Sequence, residues 1–456
     1  MKQATSRMNP GACTLVGAGV PSVLIGRQWL KNRRVDMSAG ILTLEGVKSK
    51  MNLKSFDIVI VGAGPAGGHC ARMLAKSGHK VLLAEQNDNF NKNDFSSAAT
   101  PLETLSKFDL PEAVIGSFWH KLTIETSKVS QSWESPESLG VVLNFAKFRA
   151  FLASEAERFG GEVWLGYRYT GHSQAKGETT VEFKQLSDGQ IIKVSTKVLV
   201  DATGFARAIM YEKENDKPDF LSGTGIEYLI EVEPEVYNKY SGDLIFFLGD
   251  KWMPKGYSWI FPMEPNRLKV GAGRIFLDPK TVRHLSPLKK YIDLLIDEYL
   301  KCKNYKIIDK HGSTLKYSRG LKDIYCKDNI IAIGDTVSTV NFLGGEGIRH
   351  GMDGAEIAGK YIQSYLEGKI SDFRDYETEM HRKFDKKWNI SERLAVRKYI
   401  DDVNDELTDK MISYLKYMKT EDVMDILFDY KFEKISRGLG GYLQRKIKGL
   451  IKQFHL

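Results

Sequence analysis

The run Asp57-Ile-Val-Ile-Val-Gly62-Ala-Gly64-Pro65-Ala66-Gly67 joins a short β-branched apolar stretch to a glycine-rich turn. An unbroken apolar run of this kind suits a strand buried on both faces of a parallel sheet. Ala66 to Ser77 follows with Cys70, Ala71 and Leu74 at helical spacing and closes on Gly78-His79, a helix stop. Lys80-Val-Leu-Leu-Ala-Glu85 then reads as a second strand. Strand, helix and strand within about thirty residues make a βαβ unit. In such a unit Gly62 permits the tight turn, Gly64 lets the backbone approach a pyrophosphate, and Gly67 allows close packing of helix on strand. The helix opening at Pro65 and Ala66 aims its N-terminal amides at those phosphates. Glu85, at the end of the second strand, stands where a ribose-binding carboxylate belongs. A carboxylate there accepts bonds from a free ribose 2′-hydroxyl and repels a 2′-phosphate, so the turn fits FAD or NAD and disfavours NADP.

The choice between those two nucleotides comes from further along the chain. Lys197-Val-Leu-Val-Asp201-Ala-Thr-Gly204 and Asn329-Ile-Ile-Ala-Ile-Gly334-Asp335 both read as strands that end in an acid close to glycine and threonine. After the second comes Gly344-Gly345-Glu346-Gly347-Ile348, a turn opening a helix to Leu366 whose small residues (Gly351, Gly354, Ala355, Ala358) suit close packing on a sheet. Asp335 can bind ribityl hydroxyls. The helix N-terminus at Gly347 and Ile348 can face the N1/C2 edge of a flavin and stabilise negative charge on the reduced ring. These features favour FAD.

Around this unit the chain divides into a 1–50 extension without a helix or strand pattern, a first nucleotide-binding part over 51–217, a β-rich insertion over 218–320, a second nucleotide-binding part over 321–370 and a charged helical region over 371–456. The expected fold is α/β: a Rossmann-like three-layer FAD-binding domain with an inserted antiparallel-β substrate domain and a C-terminal helical region. Within 1–50, Thr14-Leu-Val-Gly-Ala-Gly-Val-Pro imitates a dinucleotide turn but has Ser22 at the third glycine position and no helix after it. Met51 is the expected natural start. In the insertion, strand alternation puts Tyr257, Trp259 and Phe261 on one face, a broad apolar wall that suits either a sheet core or a long hydrocarbon ligand.

Taken together, the GAGPAG opening, Asp201-Ala-Thr-Gly204 and Gly334-Asp335 resemble the flavoprotein superfamily of aromatic hydroxylases, lycopene cyclases and geranylgeranyl reductases. Pro254-Lys-Gly-Tyr257-Ser-Trp259-Ile-Phe261-Pro262 resembles the PxxYxWxFP motif of the geranylgeranyl reductases, and Val340-Asn-Phe-Leu-Gly-Gly-Glu-Gly347 resembles their flavin-ring loop. The resemblance runs from Ser55 to about Leu366. It implies FAD as cofactor, an external electron donor (NAD(P)H or ferredoxin), a cavity for an isoprenoid lined by Tyr257, Trp259 and Phe261, and reduction of carbon–carbon double bonds. Tyr257 is the candidate proton donor. The same scaffold also carries FAD monooxygenases and flavin-dependent cyclases, and a non-catalytic lipid carrier is a further alternative. The chain departs from the family at two places: Phe95-Ser-Ser-Ala-Ala stands where Cys-Gly-Gly is common, and Phe145 where an Arg is common, ahead of a helix expected over Phe148–Phe159.

The formal charge of +8 is uneven, since residues 431–456 alone carry +6. A basic face spread over the whole surface, as nucleic-acid binders have, is therefore not indicated. Leu443, Ile447, Leu450, Ile451 and Phe454 share one helical face and Arg445, Lys448 and Lys452 another. This pattern suits an anionic membrane surface or a docked terminal helix with a solvated basic face, and an isoprenoid-like substrate favours the first. The nine histidines show no paired ligand spacing, and the four cysteines give neither a disulfide framework nor a zinc site. No metal is expected. His350, on the helix after the glycine loop, is the histidine of most interest. No apolar stretch approaches the ~20 residues of a membrane span, so the expected location is cytoplasmic, with the tail peripheral on the inner face of a membrane.

Overall fold

The structure is a computed structural model that describes residues 53–92, 96–175, 177–401, 404–436 and 440. The 1–50 extension, the turn-like segment within it and the amphipathic pattern at 443–454 lie outside the described residues.

The glycine-rich unit consists of the strand Lys54–Val61, the helix Pro65–Lys76 and the strand Val81–Glu85. Ile58, Val59 and Ile60 are fully buried, as a run without alternation requires. The strand Lys54–Val61 lies parallel between Val81–Glu85 and Ile191–Asp201. Glu162–Leu165 continues the parallel set beyond Val81–Glu85, and Ile330–Ala332 beyond Ile191–Asp201. The strand ends at Val61, Asp201 and Ala332 are thereby brought to one edge, with Gly62, Ala202 and Gly334 just past them. Tyr167–Ala175 and Glu178–Gln185 join as an antiparallel extension.

The helix Ile348–Leu366 packs beside Pro65–Lys76. Its Gly351 lies so close that an added Cβ would stand 3.5 Å from that of Ala66. Gly354 serves another neighbour. Its missing side chain makes room for Met380 of the helix Arg374–Ala395, whose terminal methyl carbon would be 3.1 Å away, so this small residue meets a helix and not the sheet. On the opposite side of Pro65–Lys76, Gly68 meets Leu152 of the helix Phe145–Arg158. That helix begins three residues before the expected Phe148. The Asn144 side chain accepts from the Lys147 amide at 3.1 Å and caps it. Phe145 is therefore the first helical residue, and Arg149 lies one turn on, on the same face.

The β-rich part forms a seven-stranded sheet in the order Tyr305–Ser318, Phe220–Val232, Arg267–Phe276, Met253–Met263, Asp243–Gly249, Lys121–Glu125, Ser130–Glu134. Two of its strands thus come from well before residue 218, and Lys121–Glu125 pairs in parallel with Asp243–Gly249. Alternation divides the faces as expected. Ile260, Val270 and Ile230 pack on one side against the helix Leu288–Leu294 and the turn after it. Trp259 and Phe261 face the other side, toward Ile412, Val423, Ile426 and Phe428 of the C-terminal region. That region comprises the helices Arg374–Ala395, Asp405–Leu415 and Thr420–Leu427. The charge of the first is external, while Tyr376, Met380, Phe384 and Trp388 form its buried stripe.

Candidate functional site

The three glycines of the turn are required for different reasons. Gly62 has φ +106°, and a side chain there would collide with the Ala202 carbonyl; one at Gly67 would collide with the Gly62 carbonyl. Gly64 has φ −74° and nothing within 4 Å of an added Cβ. Its smallness leaves an open cradle directly before Pro65 and Ala66. No side chain caps that helix, so its first-turn amides and partial positive charge face the cradle, as a pyrophosphate needs. Glu85, 8% exposed, accepts from the Ala63 amide at 3.0 Å and from the Asn87 backbone and side chain at 3.0 and 2.9 Å. These bonds fix its carboxylate at the wall of the same cavity.

A second helix start lies alongside. Burial pushes the Asp335 carboxyl above the ordinary range. A Cβ on Gly347 would stand 3.3 Å from its Oδ1, which places this acid against the uncapped N-terminus of the helix beginning at Ile348. The loop between them is folded on itself: the Asn341 amide donates to Glu346 O and the Gly345 amide to Asn341 O, both at 2.8 Å. Gly345, at φ +71°, passes so near Tyr257 that a Cβ would be 2.6 Å from its hydroxyl.

Glu346 lines the cavity, but its carboxylate turns to Arg349 at 3.0 Å and His350 at 3.2 Å. Burial alone would raise this carboxyl; His350 and Arg349 outweigh it and hold it below the ordinary range. Arg349 reaches on to Asp429 and the Phe428 carbonyl. His350 packs its ring against Trp388 at 4.8 Å and Tyr430 at 5.6 Å. Glu346 and His350 therefore join the glycine loop to the C-terminal region. Trp388, Asn341–Ser391 and Tyr399–Leu343 hydrogen bonds brace the loop from the same side.

The aromatic wall meets this loop directly. The Tyr257 hydroxyl donates to the Gly344 carbonyl at 2.9 Å, and burial pushes it up to about 12, so it carries its proton at neutral pH. Tyr257, Trp259 and Phe261 all line one cavity of about 1240 Å3, which also takes in Gly62, Gly64, Pro65, Ala66, Gly67, Glu85, Asp335 and Gly344 to Ile348. That volume exceeds the ~300–1,000 Å3 of a single small-molecule site. The cavity continues past Phe246 and Leu248 to Met411, Ile412, Leu415, Ile426 and Phe432. One space thus runs from a dinucleotide cradle along three aromatic rings to an apolar end.

Several contributors are not evident from the motifs. Arg149 is buried, lines the cavity and donates to Phe90 O and Lys92 O, with its guanidinium 4.8 Å from the Phe145 ring. Ser96 and Ser97 of the divergent segment also line the cavity, while Phe95 lies outside the described residues. Asp201 is structural, accepting from Thr203 twice and from the Ile209 and Met210 amides. Among the described residues no three His, Cys, Asp or Glu side chains gather as metal ligands. Cys70 is buried in the core, its thiol pushed up to about 12. No helix among the described residues is long and apolar enough to cross a membrane.

Residues 56–226 match the pyridine nucleotide-disulphide oxidoreductase family, and 227–315 match the geranylgeranyl reductase catalytic domain. The digeranylgeranylglycerophospholipid reductase of Haloferax volcanii is 28% identical over 391 residues, 81% of this chain and 91% of that protein. A geranylgeranyl bacteriochlorophyll reductase-like protein of Thermoplasma acidophilum superposes with a TM-score of 0.72 at 20% identity, covering 88% of this chain and 99% of that one. A flavin-dependent brominase superposes at 0.59 and 16% identity, covering 88% and 100%; at that identity the likeness shows the fold alone. Cradle, second helix start and these matches together define an FAD-dependent oxidoreductase. Within that class, residues 227–315 are similar to the catalytic domain of the geranylgeranyl reductases.

Proposed function

We propose that this chain reduces carbon–carbon double bonds of a geranylgeranyl-type chain carried on a lipid. The observation that carries the proposal is the continuous cavity from the glycine cradle past Tyr257, Trp259 and Phe261 to the apolar C-terminal end. Gly62 to Gly67 and Glu85 would hold the pyrophosphate and ribose of FAD, and Asp335 with Gly344 to Ile348 its ribityl chain and ring. When bound and reduced by an external donor, FAD would supply a hydride equivalent to one alkene carbon. The aromatic wall would hold the alkene in place and exclude water, and a proton must reach the other carbon. Electrons come from an external donor, a reduced nicotinamide or a ferredoxin. The test is direct: purified protein carrying FAD, given dithionite and a digeranylgeranylglycerophospholipid, should yield products heavier by pairs of hydrogens. Unchanged lipid, or, with NADH or NADPH in air in place of dithionite, oxygen consumed in step with lipid, would reject the reading.

Tyr257 is the candidate proton-bearing group, but its hydroxyl is directed at Gly344 and its raised pKa makes it a weak acid. Its first task is therefore to hold the glycine loop. Tyr257→Phe should keep FAD and lower kcat by less than about tenfold; a loss in the ~10²–10⁴ range of a missing general acid would give it the proton transfer instead.

The basic tail over 431–456 is proposed to rest on an anionic membrane surface. In flotation with anionic vesicles, full-length protein should rise and protein lacking 431–456 should not; equal flotation would remove the idea.

A further inference from the structure

Behind the cavity wall lies a buried charged pair, Glu227 and Lys269, that belongs to neither the nucleotide cradle nor the aromatic motif. Trp259 opposes Gly271, and Gly271 opposes Glu227 on the next strand. With no side chain at Gly271, the indole lies across it; an added Cβ would strike the ring. The indole N–H reaches over to donate to Glu227 at 2.7 Å. Two residues along the same strand and on the same face, Lys269 sits between Phe261 and Leu229. Its ammonium stands 4.0 Å from Glu227 and donates to the Ser96 carbonyl at 2.6 Å, with the Ser97 carbonyl at 3.4 Å. Glu227 is 2% and Lys269 6% exposed.

Burying two charges behind an apolar wall is costly even when they are paired, and a well-packed apolar pair would serve stability as well or better. What the pair does supply is a fixed point. Ser96, Ser97 and Trp259 line the cavity, while Lys269 and Glu227 stand behind it and tie them into one chain of contacts. Double bonds recur at constant spacing along an isoprenoid, so a wall of rings alone does not distinguish one from the next. We propose that Lys269 and Glu227 are positioning residues that fix the gap between the Ser96–Ala98 segment and Trp259, and thereby select which double bonds of the threaded chain are reduced. This rests on the reductase reading above.

The test uses the full chain loaded with FAD, dithionite as reductant and a digeranylgeranylglycerophospholipid in detergent micelles as the probe. Wild-type protein should give a fixed set of reduced positions, read by fragmentation mass spectrometry. Lys269→Met and Glu227→Gln should spread reduction over other positions and lower kcat about tenfold or more at nearly constant KM, as misplacement by an ångström or so does. Lys269→Arg should restore the wild-type set. Independently of turnover, both variants should alter the visible circular dichroism of bound FAD, since the Ser96–Ala98 segment would shift. Glu227→Gln is almost isosteric and carries the test should Lys269→Met fail to fold. Unchanged product sets and unchanged dichroism overturn the positioning role. Wild-type protein that reduces no lipid overturns the reductase reading instead, and the dichroism still decides the positioning.

Discussion

Gly64→Asp should give a folded chain that no longer binds FAD. The backbone at Gly64, φ −74°, is open to any residue, and no atom lies within 4 Å of the new Cβ. Gly64 is also the N-cap of the helix Pro65–Lys76 and lacks a side-chain cap. Aspartate is among the best N-caps and gains a few tenths of a kcal/mol over glycine by accepting from first-turn amides. Apo stability should therefore hold or rise. The same carboxylate takes amides that a pyrophosphate would use and puts a like charge against it. At about 4 Å and an effective dielectric near 20 that repulsion is worth ~4 kcal/mol, or about three orders of magnitude in affinity. Thermal melts of apo protein with FAD titration followed by flavin fluorescence would measure both. Gly62→Ala and Gly67→Ala should behave in the opposite way, losing stability first because each new methyl meets a backbone carbonyl. Gly64→Asp protein that keeps FAD within tenfold of wild type would mean that the cradle does not hold the phosphates.

That contrast also marks what sequence can and cannot say about this fold. The βαβ unit was legible because its signals are local: an apolar run, three glycines and an acid within one stretch. The alternation of Tyr257, Trp259 and Phe261 was legible for the same reason, and the structure puts all three on the cavity. The parallel pairing of Lys121–Glu125 with Asp243–Gly249 was not, because nothing in a strand's own pattern names a partner more than a hundred residues away. The same limit hid the C-terminal wall. Leu407, Met411, Ile412, Leu415 and Ile426 read only as one face of charged helices until the sheet supplies the face opposite. Arg149 does not show in the sequence pattern, because it takes the Asn144 cap and a helix start at Phe145 to set it one turn on from Phe145. Glu227 and Lys269 did leave a trace. Each is a charged residue at an inward position of an alternating strand, a conflict with burial that often marks a working site.

The largest loss of stability should follow Arg207→Met. Arg207 and Asp323 have wholly buried side chains and pair at 2.8 Å. The guanidinium also donates to Ser338 at 2.9 Å and to the Lys316 carbonyl, and lies 4.5 Å from the Phe220 ring. Removing the cation leaves Asp323 as an uncompensated buried charge, a change that costs ~3–5 kcal/mol. Arg207→Met with Asp323→Asn should recover at least half of it, because Asn is neutral and its one side-chain oxygen can still accept from Ser338 or from Tyr211, which now bond different oxygens of Asp323. Urea unfolding of the single and double variants measures the difference, and equal losses in both would show that lost packing rather than stranded charge is responsible. The pair also bears on the site. It joins the turn Gly204–Ala206 to Ser338, and the Gly204 amide donates to Thr336 beside Asp335 at 3.0 Å. Both strand ends that frame the cavity are tied through it, so the single variant should bind FAD more weakly as well. Excess FAD should then return part of the lost stability, since a ligand that binds only the folded state stabilises it by mass action. An Arg207→Met protein that is destabilised yet binds FAD as wild type does would confine the pair to folding and detach it from the site.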